Sequence, residues 1–238
     1  MEEGEPLGFV IALPPECRSL TPYRVRRGDI VPLNDSGWIA VSGAGPANAS
    51  AAATALVERG ARRLVSWGCA AALADGLSPG DLILPSHVRH ADGTTARLAS
   101  PWRDRLVNCL RLHGPVTEGV LAESPGIVAS AAEKRAVHEA TGAVAMDMET
   151  GAVVRTATSF GIPSISVRTI ADTAATAIPG AAQAALNPDG EIVVSGLLLQ
   201  LAQHPSDIIP LIRLFRCFQA AVRALKNVAA LAGPTLDP

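Results

Sequence analysis

Short apolar runs that stop at glycine or proline recur along the chain, and between them lie segments with apolar residues at helical spacing. Gly8 to Leu13 (GFVIAL), closed by Pro14-Pro15, reads as a buried strand with Glu16 just past its end. Trp38 to Ser42 repeats the pattern, and Gly43-Ala44-Gly45 then turns the chain into an alanine-rich helix over Pro46 to Arg59. Leu64 to Trp67 is a third strand, entering a second small-residue turn at Gly68 to Ala72, and Asp81 to Leu84 is a fourth. A polar loop from His90 to Trp102, a helix around Arg103 to Leu112 and a strand-like piece near Val116 to Leu121 follow. Glu133 to Glu139 reads as helix, Ala143 to Met148 as strand, and Glu149 to Phe160 as a helix ended by Gly161-Ile162-Pro163. Ser164 to Ile170 is a β-branched strand leading to Ala171-Asp172. This alternation predicts an α/β fold whose largely parallel sheet is covered on both faces. Ligands of such sheets bind beyond the carboxyl ends of strands. Glu16, Gly43 to Gly45, Gly68, Glu149 and Asp172 all fall there.

After Asp172 the pattern changes. Thr173 to Pro188 carries no charge, and Asn187-Pro188-Asp189-Gly190 is a strong turn. Between Pro210 and Leu231, Leu211, Leu214, Phe215, Phe218, Val222 and Leu225 recur at helical spacing, interspersed with Arg213, Arg216, Arg223 and Lys226. Such a helix packs on its own domain or across a dimer, or meets a membrane or a greasy substrate. Hydrophobic residues at 48% and charged residues at 18% exclude a disordered chain. Twenty Lys and Arg against 22 Asp and Glu give a formal net charge of −2, and the aromatic residues are four Phe, three Trp and one Tyr. Neither a polyanion-binding charge nor a base-stacking platform is present, so no nucleic-acid partner is expected. Cys17, Cys69, Cys109 and Cys217 lie far apart, as in a reducing compartment. The acidic start MEEGEPLG and the lack of a spanning segment add to the expectation of a cytoplasmic protein.

Four places could carry chemistry. Ser42 to Asn48 resembles half a dinucleotide fingerprint, but the third glycine is missing, and a packing turn explains the two that remain. Asp172 follows a buried β run; burial would raise its carboxyl pKa and suit a general acid, while a helix N-cap is the alternative. Glu149 opens a helix, where the dipole favours an acid in any case, and Glu16 beside two prolines reads equally as a solvated loop acid. From the residues alone these alternatives stay open.

Their order narrows them. GFVIALPPE, VSGAGPANAS, VSWGCAAAL with LSPGDLILPSHV, AVAMDMETGAVV and SISVRTIAD, over about residues 8 to 173, resemble the purine nucleoside phosphorylase and methylthioadenosine nucleosidase superfamily. The segments from Asp172-Thr173-Ala174 through IPGAAQAALNPDG to HPSDIIPLIRLFRCFQAAVRAL resemble its hopanoid-associated phosphorylase branch. The resemblance implies a single-domain, three-layer α/β fold around a twisted mixed, largely parallel sheet. It implies a catalytic core over residues 1–190 and an apolar helical extension over 191–238 packed on the same domain.

The implied reaction is cleavage of the N-glycosidic bond of a 5′-substituted adenosine, releasing adenine through an oxocarbenium-like state, with no metal or organic cofactor. Asp172 resembles the acid that serves N7 of the departing purine. Glu149 is similar to the carboxylate that holds the ribose hydroxyls, with Met148 on the sugar face. Arg168 looks like the cation on the nucleophile side, and Glu16 resembles the base of the hydrolase members. Gly68 and Cys69, with Ile127 and Val128, are expected to line the substrate pocket. Ser66 to Cys69 stands where phosphorylase relatives carry an Arg and a Ser or Thr for the anion, leaving Arg168 and Arg18 beside an acidic Glu16. Hydrolysis is therefore expected over phosphorolysis, phosphate being the co-substrate of the alternative. Ala71-Ala72 replaces a frequent Gly-Gly beside the base. The branch implies adenosylhopane as substrate; Leu197 to Leu201 and the Ile208 to Phe218 helix then offer a greasy wall for its apolar group or a surface for peripheral contact with the inner membrane, and the family with this apolar surface favours a homodimer. Methylthioadenosine or S-adenosylhomocysteine nucleosidase and futalosine hydrolase are the neighbouring activities. A non-catalytic nucleoside-binding or storage protein on the same fold is the alternative of another kind.

Overall fold

The computed structural model describes residues 5–98, 100–184, 201 and 203–238. The turn expected at Asn187 to Gly190 and positions 197–200 of the apolar stretch lie outside these residues. Among the described residues eleven strands form one mixed sheet: β1 (Leu7–Ile11), β2 (Ile30–Pro32), β3 (Gly37–Val41), β4 (Arg63–Ala72), β5 (Leu82–Ile83), β6 (His87–Arg89), β7 (Thr95–Arg97), β8 (Val116–Thr117), β9 (Val120–Glu123), β10 (Ala145–Asp147) and β11 (Ser164–Asp172). The described helices are α1 (Pro14–Cys17), α2 (Pro46–Glu58), α3 (Pro101–Arg111), α4 (Ala131–Thr141), α5 (Thr150–Ser159), α6 (Gly180–Ala184) and α7 (Ile208–Ala232).

The centre of the sheet is parallel. β1 lies between β3 and β4, with Phe9 level with both Ile39 and Val65, and β11 flanks β4 with Ile165 level with Val65. Every residue of β1 is buried, so its period-2 alternation separates two cores rather than core from solvent. Leu7, Phe9 and Ile11 join Ile39, Val41, Trp67 and Val167 on one face, under Leu106 and Leu110 of α3 and Leu225 and Val228 of α7. Val10, Ala40 and Leu64 face the other way, against Ala49, Ala53 and Leu56 of α2 and Ala152, Val153 and Ala157 of α5. Helix, sheet, helix are thus the three layers. Ala49 and Ala53 of α2, four residues apart, lie with Leu56 on its buried face and let it approach the sheet closely.

β4 differs from its sequence reading. Gly68 to Ala72 is not a turn but the second half of a ten-residue strand. Its early residues pair with β1; its last two pair antiparallel with β10, as in Ala145 with Ala72, while β11 follows it along the opposite edge. A small-residue run reads as a turn from sequence because it has no large apolar side chains; in the fold Gly68 is bare where Arg168 and Glu16 approach, and Ala70 and Ala72 pack against Ile83, Leu121 and Ile170. The polar stretch from His90 to Trp102 likewise contains β7, paired with β6 in a hairpin, and the single strand expected over Val116 to Leu121 is divided into β8 and β9. No helix among the described residues is long and apolar enough to cross a membrane.

Candidate active site

Beyond β1 the chain enters α1, whose single turn carries Glu16 inward to 3% exposure. Glu16 is therefore not a solvated loop acid. Its Oε2 accepts the Leu13 N–H at 2.9 Å and its Oε1 accepts the Cys69 N–H at 2.8 Å. Burial pushes its carboxyl upward, and Arg168 with the two N–H donors pulls it back in part. Gly68 supplies the space: a Cβ there would stand 2.5 Å from Arg168 Nη1 and 2.8 Å from Glu16 Oε1. The two side chains converge over a bare Cα.

Arg168, level with Gly68 across the β4–β11 ladder, is 1% exposed. Its Nη2 meets Asp147 Oδ2 at 2.6 Å, Ser66 Oγ at 2.5 Å and Thr150 Oγ1 at 3.0 Å, and its Nε reaches Thr150 Oγ1 at 3.2 Å. Ser66 stands where an anion-binding Arg would be expected, and its hydroxyl is taken up in holding Arg168. Arg18, the other cation expected near the anion, is exposed.

Glu149 immediately precedes α5 but does not cap that helix with its side chain. Its Oε1 accepts the Gly45 N–H at 2.8 Å. Gly45 has φ +100°, a backbone conformation that disfavours any side chain and presents this N–H at the start of α2. Met148 is half-buried at the same glycine, its Cε 4.0 Å from the position a Gly45 Cβ would take. Burial, reinforced by Asp147, pushes the Glu149 carboxyl up to about 7, against the opposing pull of Arg168. Glu16, Asp147 and Glu149 thus surround one buried guanidinium, three acids to one cation, and the excess negative charge makes proton retention favourable.

Asp172 lies four residues beyond Arg168, at the end of β11 rather than at a helix N-cap. The ladder slips between Ile170 and Asp172, a bulge that re-aims the last side chain of the strand. Asp172 Oδ2 is ion-paired to Lys134 of α4, whose side chain is fully buried. Burial raises the Asp172 carboxyl and Lys134 lowers it.

The structure gathers Glu16, Arg168, Glu149 and Met148 around Gly68 and Gly45, with Asp172 farther along β11. Cys69 contributes through its backbone N–H; its thiol, driven upward by burial, lies 4.0 Å from Thr169 Oγ1. Ile127 is 42% exposed, and Val128 packs on the cluster of Leu73, Ala122 and Met146. Their segment is tied to the chain beyond Asp172 by Ile178 N–H donating to Ala129 O at 2.7 Å.

Sequence reasoning missed Asp147, Ser66 and Thr150 as the holders of Arg168, and missed Lys134 altogether. Lys134 shares a helical face with Val137 and Thr141, which could have marked it as inward-facing. Asp147, Ser66 and Thr150 carried no such signal as holders of Arg168, because only the meeting of β4, β10, β11 and the start of α5 brings them together. Among the described residues no group of three or more His, Cys, Asp or Glu is arranged to hold a metal ion.

The sequence profile of the phosphorylase superfamily matches residues 21–195. The chain belongs to that superfamily. Its membership makes it an enzyme of the nucleosidase or nucleoside phosphorylase type. The match begins after Glu16, so β1 and α1 precede it. No curated protein matches the chain in sequence. Among solved structures, the 5′-methylthioadenosine/S-adenosylhomocysteine nucleosidase of Neisseria meningitidis, in complex with methylthio-immucillin-A, is 18% identical, with 95% of this chain and 97% of that one covered at a TM-score of 0.71. A Helicobacter pylori nucleosidase mutant with 5′-methylthioadenosine in its active site is 16% identical, covering 95% and 99% at 0.67. The futalosine hydrolase of the same organism is 17% identical, covering 95% and 97% at 0.66. At these identities the likeness establishes a common fold. The superfamily chain described here shares it along nearly its whole length.

Proposed function

We propose that this chain hydrolyses the N-glycosidic bond of a 5′-substituted adenosine and releases adenine. The observation that carries the reading is the convergence of Glu16 and Arg168 over Gly68. An anionic co-substrate at that point would face a buried acid, while the guanidinium is already engaged by Asp147, Ser66 and Thr150. Water is neutral and needs a base. The Glu16 carboxylate, held by two backbone N–H groups, takes its proton as oxygen attacks C1′; the bond to the purine breaks; Asp172 delivers a proton to N7, so adenine leaves neutral. Glu149 accepts hydrogen bonds from the ribose hydroxyls and faces the positive charge that develops on the sugar.

The test is adenine release from a 5′-alkyl adenosine with and without phosphate, with the sugar product identified. Free ribosyl product independent of phosphate is expected. Glu16→Gln is expected to lose this activity by ~10²-fold or more, the range of general base catalysis; ribose 1-phosphate formed only with phosphate would overturn the hydrolytic reading.

Glu149 gives a pH dependence with a definite sign. An acid whose carboxyl sits at about 7 in the folded chain is largely neutral below that value. Its full acceptor capacity returns as the pH rises through 7, so kcat/KM should climb across that range. A profile flat between pH 6 and 8 would remove the ionised carboxylate from ribose binding.

For the 5′ substituent we propose a long apolar group, adenosylhopane being the member of this class that the sequence resemblance implies. Ile209 is 69% and Phe215 59% exposed near the start of α7, with Ile208 and Ile212 beside them. Arg213 and Arg216 lie among them, a combination suited to peripheral contact with an anionic membrane surface. Asp207, just before α7, accepts the Ala181 N–H at 3.2 Å and so ties this end of the helix to the chain that follows Asp172. Removing the extension cannot test the idea, because Leu225 and Val228 belong to the core. Ile209→Lys with Phe215→Lys should instead lower turnover of a long-chain 5′-alkyl adenosine while sparing methylthioadenosine. Equal effects on both substrates would sink the proposal. The chain is proposed to act as a homodimer, which its sedimentation behaviour would test.

A further inference from the structure

Lys134 touches neither the attacking water nor the ribose in the hydrolytic reaction. It is the one buried residue of α4, at 0% exposure, on a helix begun by a capping box between Ser130 and Glu133. A buried ammonium needs all three of its donors satisfied. Here one goes to Asp172 Oδ2, one to Thr173 O at 2.9 Å and one to Thr176 O at 2.8 Å. The ammonium therefore closes the chain over residues 173–176 into a loop around itself and fixes the Asp172 carboxyl to that loop by Oδ2, leaving Oδ1 as the atom that carries the proton. Among the described residues only Oδ2 of Asp172 is engaged, and its side chain keeps 10% of its surface open. Oδ1 is left for a ligand.

We propose that Lys134 is the positioning residue of the general acid: it holds Asp172 with Oδ1 toward the departing purine and stabilises the carboxylate formed when the proton leaves. This rests on the hydrolytic reading above. In the step itself, the proton on Asp172 passes to N7 as the electron pair of the N-glycosidic bond moves onto the purine. The acid is left as an anion in a site that burial makes hostile to anions. A fixed cation at Oδ2 is preorganised against that developing charge. Other charges face elsewhere: Arg168, on the same strand, turns to Asp147, and Glu133, beside Lys134 in sequence, turns to Ser130. Lys134 is thus the charged group, among the described residues, that sets how readily Asp172 gives up its proton.

Lys134→Met and Lys134→Arg would be compared with the wild-type chain on a 5′-alkyl adenosine and on p-nitrophenyl riboside, whose leaving group needs no proton. Adenine release from the Met variant should fall by ~10²-fold, mostly in kcat, while aryl riboside cleavage changes by less than about threefold. Without the cation Asp172 holds its proton more tightly, so the alkaline limb of the adenine-release profile should move to higher pH. Lys134→Arg should return that limb and part of the rate. Equal losses on both substrates, or an unmoved limb, would reduce Lys134 to a structural residue and overturn the proposal. If Lys134→Met does not fold, Asp172→Asn combined with Lys134→Met removes both charges at once. In that background a residue acting through Asp172 costs adenine release nothing further beyond Asp172→Asn alone, and an additional loss of tenfold would overturn it. Failure of the wild-type chain to release adenine would count against the hydrolytic reading, whereas each outcome above bears on Lys134.

Discussion

Asp172→Asn is expected to slow adenine release by ~10²-fold or more, about 2.7 kcal/mol on the barrier. Asn keeps the shape of the side chain and can donate a hydrogen bond, but it has no proton to transfer. The loss should fall on substrates whose leaving group must be protonated and should nearly vanish with an activated aryl riboside. Chromatographic measurement of free adenine under single-turnover conditions checks it. Near-normal release would remove Asp172 from the mechanism. The substitution also leaves the buried Lys134 ammonium without its counter-charge, which costs stability. Thermal unfolding of the variant therefore separates a lost acid from a loosened fold: the rate defect must persist well below the melting temperature.

Arg168→Met is expected to have the largest effect on the fold. The guanidinium is buried and sits among Glu16, Asp147 and Glu149, and the Ser66 and Thr150 hydroxyls are oriented on it. Removing one partner of a buried ionic cluster costs about 3–5 kcal/mol, or roughly 10 °C in Tm for a chain of this size. The pH dependence identifies the cause. Glu149 already has its carboxyl raised to about 7, and loss of the cation raises it further. A carboxyl whose folded value lies above its unfolded one makes the native state the better proton binder between the two, so stability falls as pH rises across that window. The deficit of the variant should accordingly be greatest above pH 7 and shrink on acidification. A deficit independent of pH between 5 and 8 would mean that Arg168 matters for packing and not for charge.

Much of the fold was legible in the chain. β1, β3 and β11 could be read because parallel strands buried on both faces are continuous apolar runs, and α2 and α5 because they follow glycine turns or an acid and end at glycine or proline. Gly68 to Ala72 was misread for a physical reason: local sequence reports side-chain hydrophobicity, whereas Gly68 is bare because Glu16 and Arg168 need the room and Ala70 and Ala72 pack in a tight apolar cluster with Ile83 and Ile170. No rule of local pattern contains that information. Glu16, Glu149, Arg168 and Asp172 were singled out through the order of motifs, since each by itself had an ordinary structural explanation.

The sequence by itself determined the α/β class and the central strands β1, β3 and β11 with the acids that follow or end them, because hydrophobic periodicity and turn chemistry act over a few residues. Only the tertiary structure decided the state of those acids. Glu16 is buried because α1 folds under β4; Arg168 is held because Asp147, Ser66 and Thr150 arrive from three separate elements; and Asp172 faces Lys134 across 38 positions of sequence. Burial and Coulomb interactions depend on distance in space, and the proton affinities that follow from them cannot be read until the chain has closed.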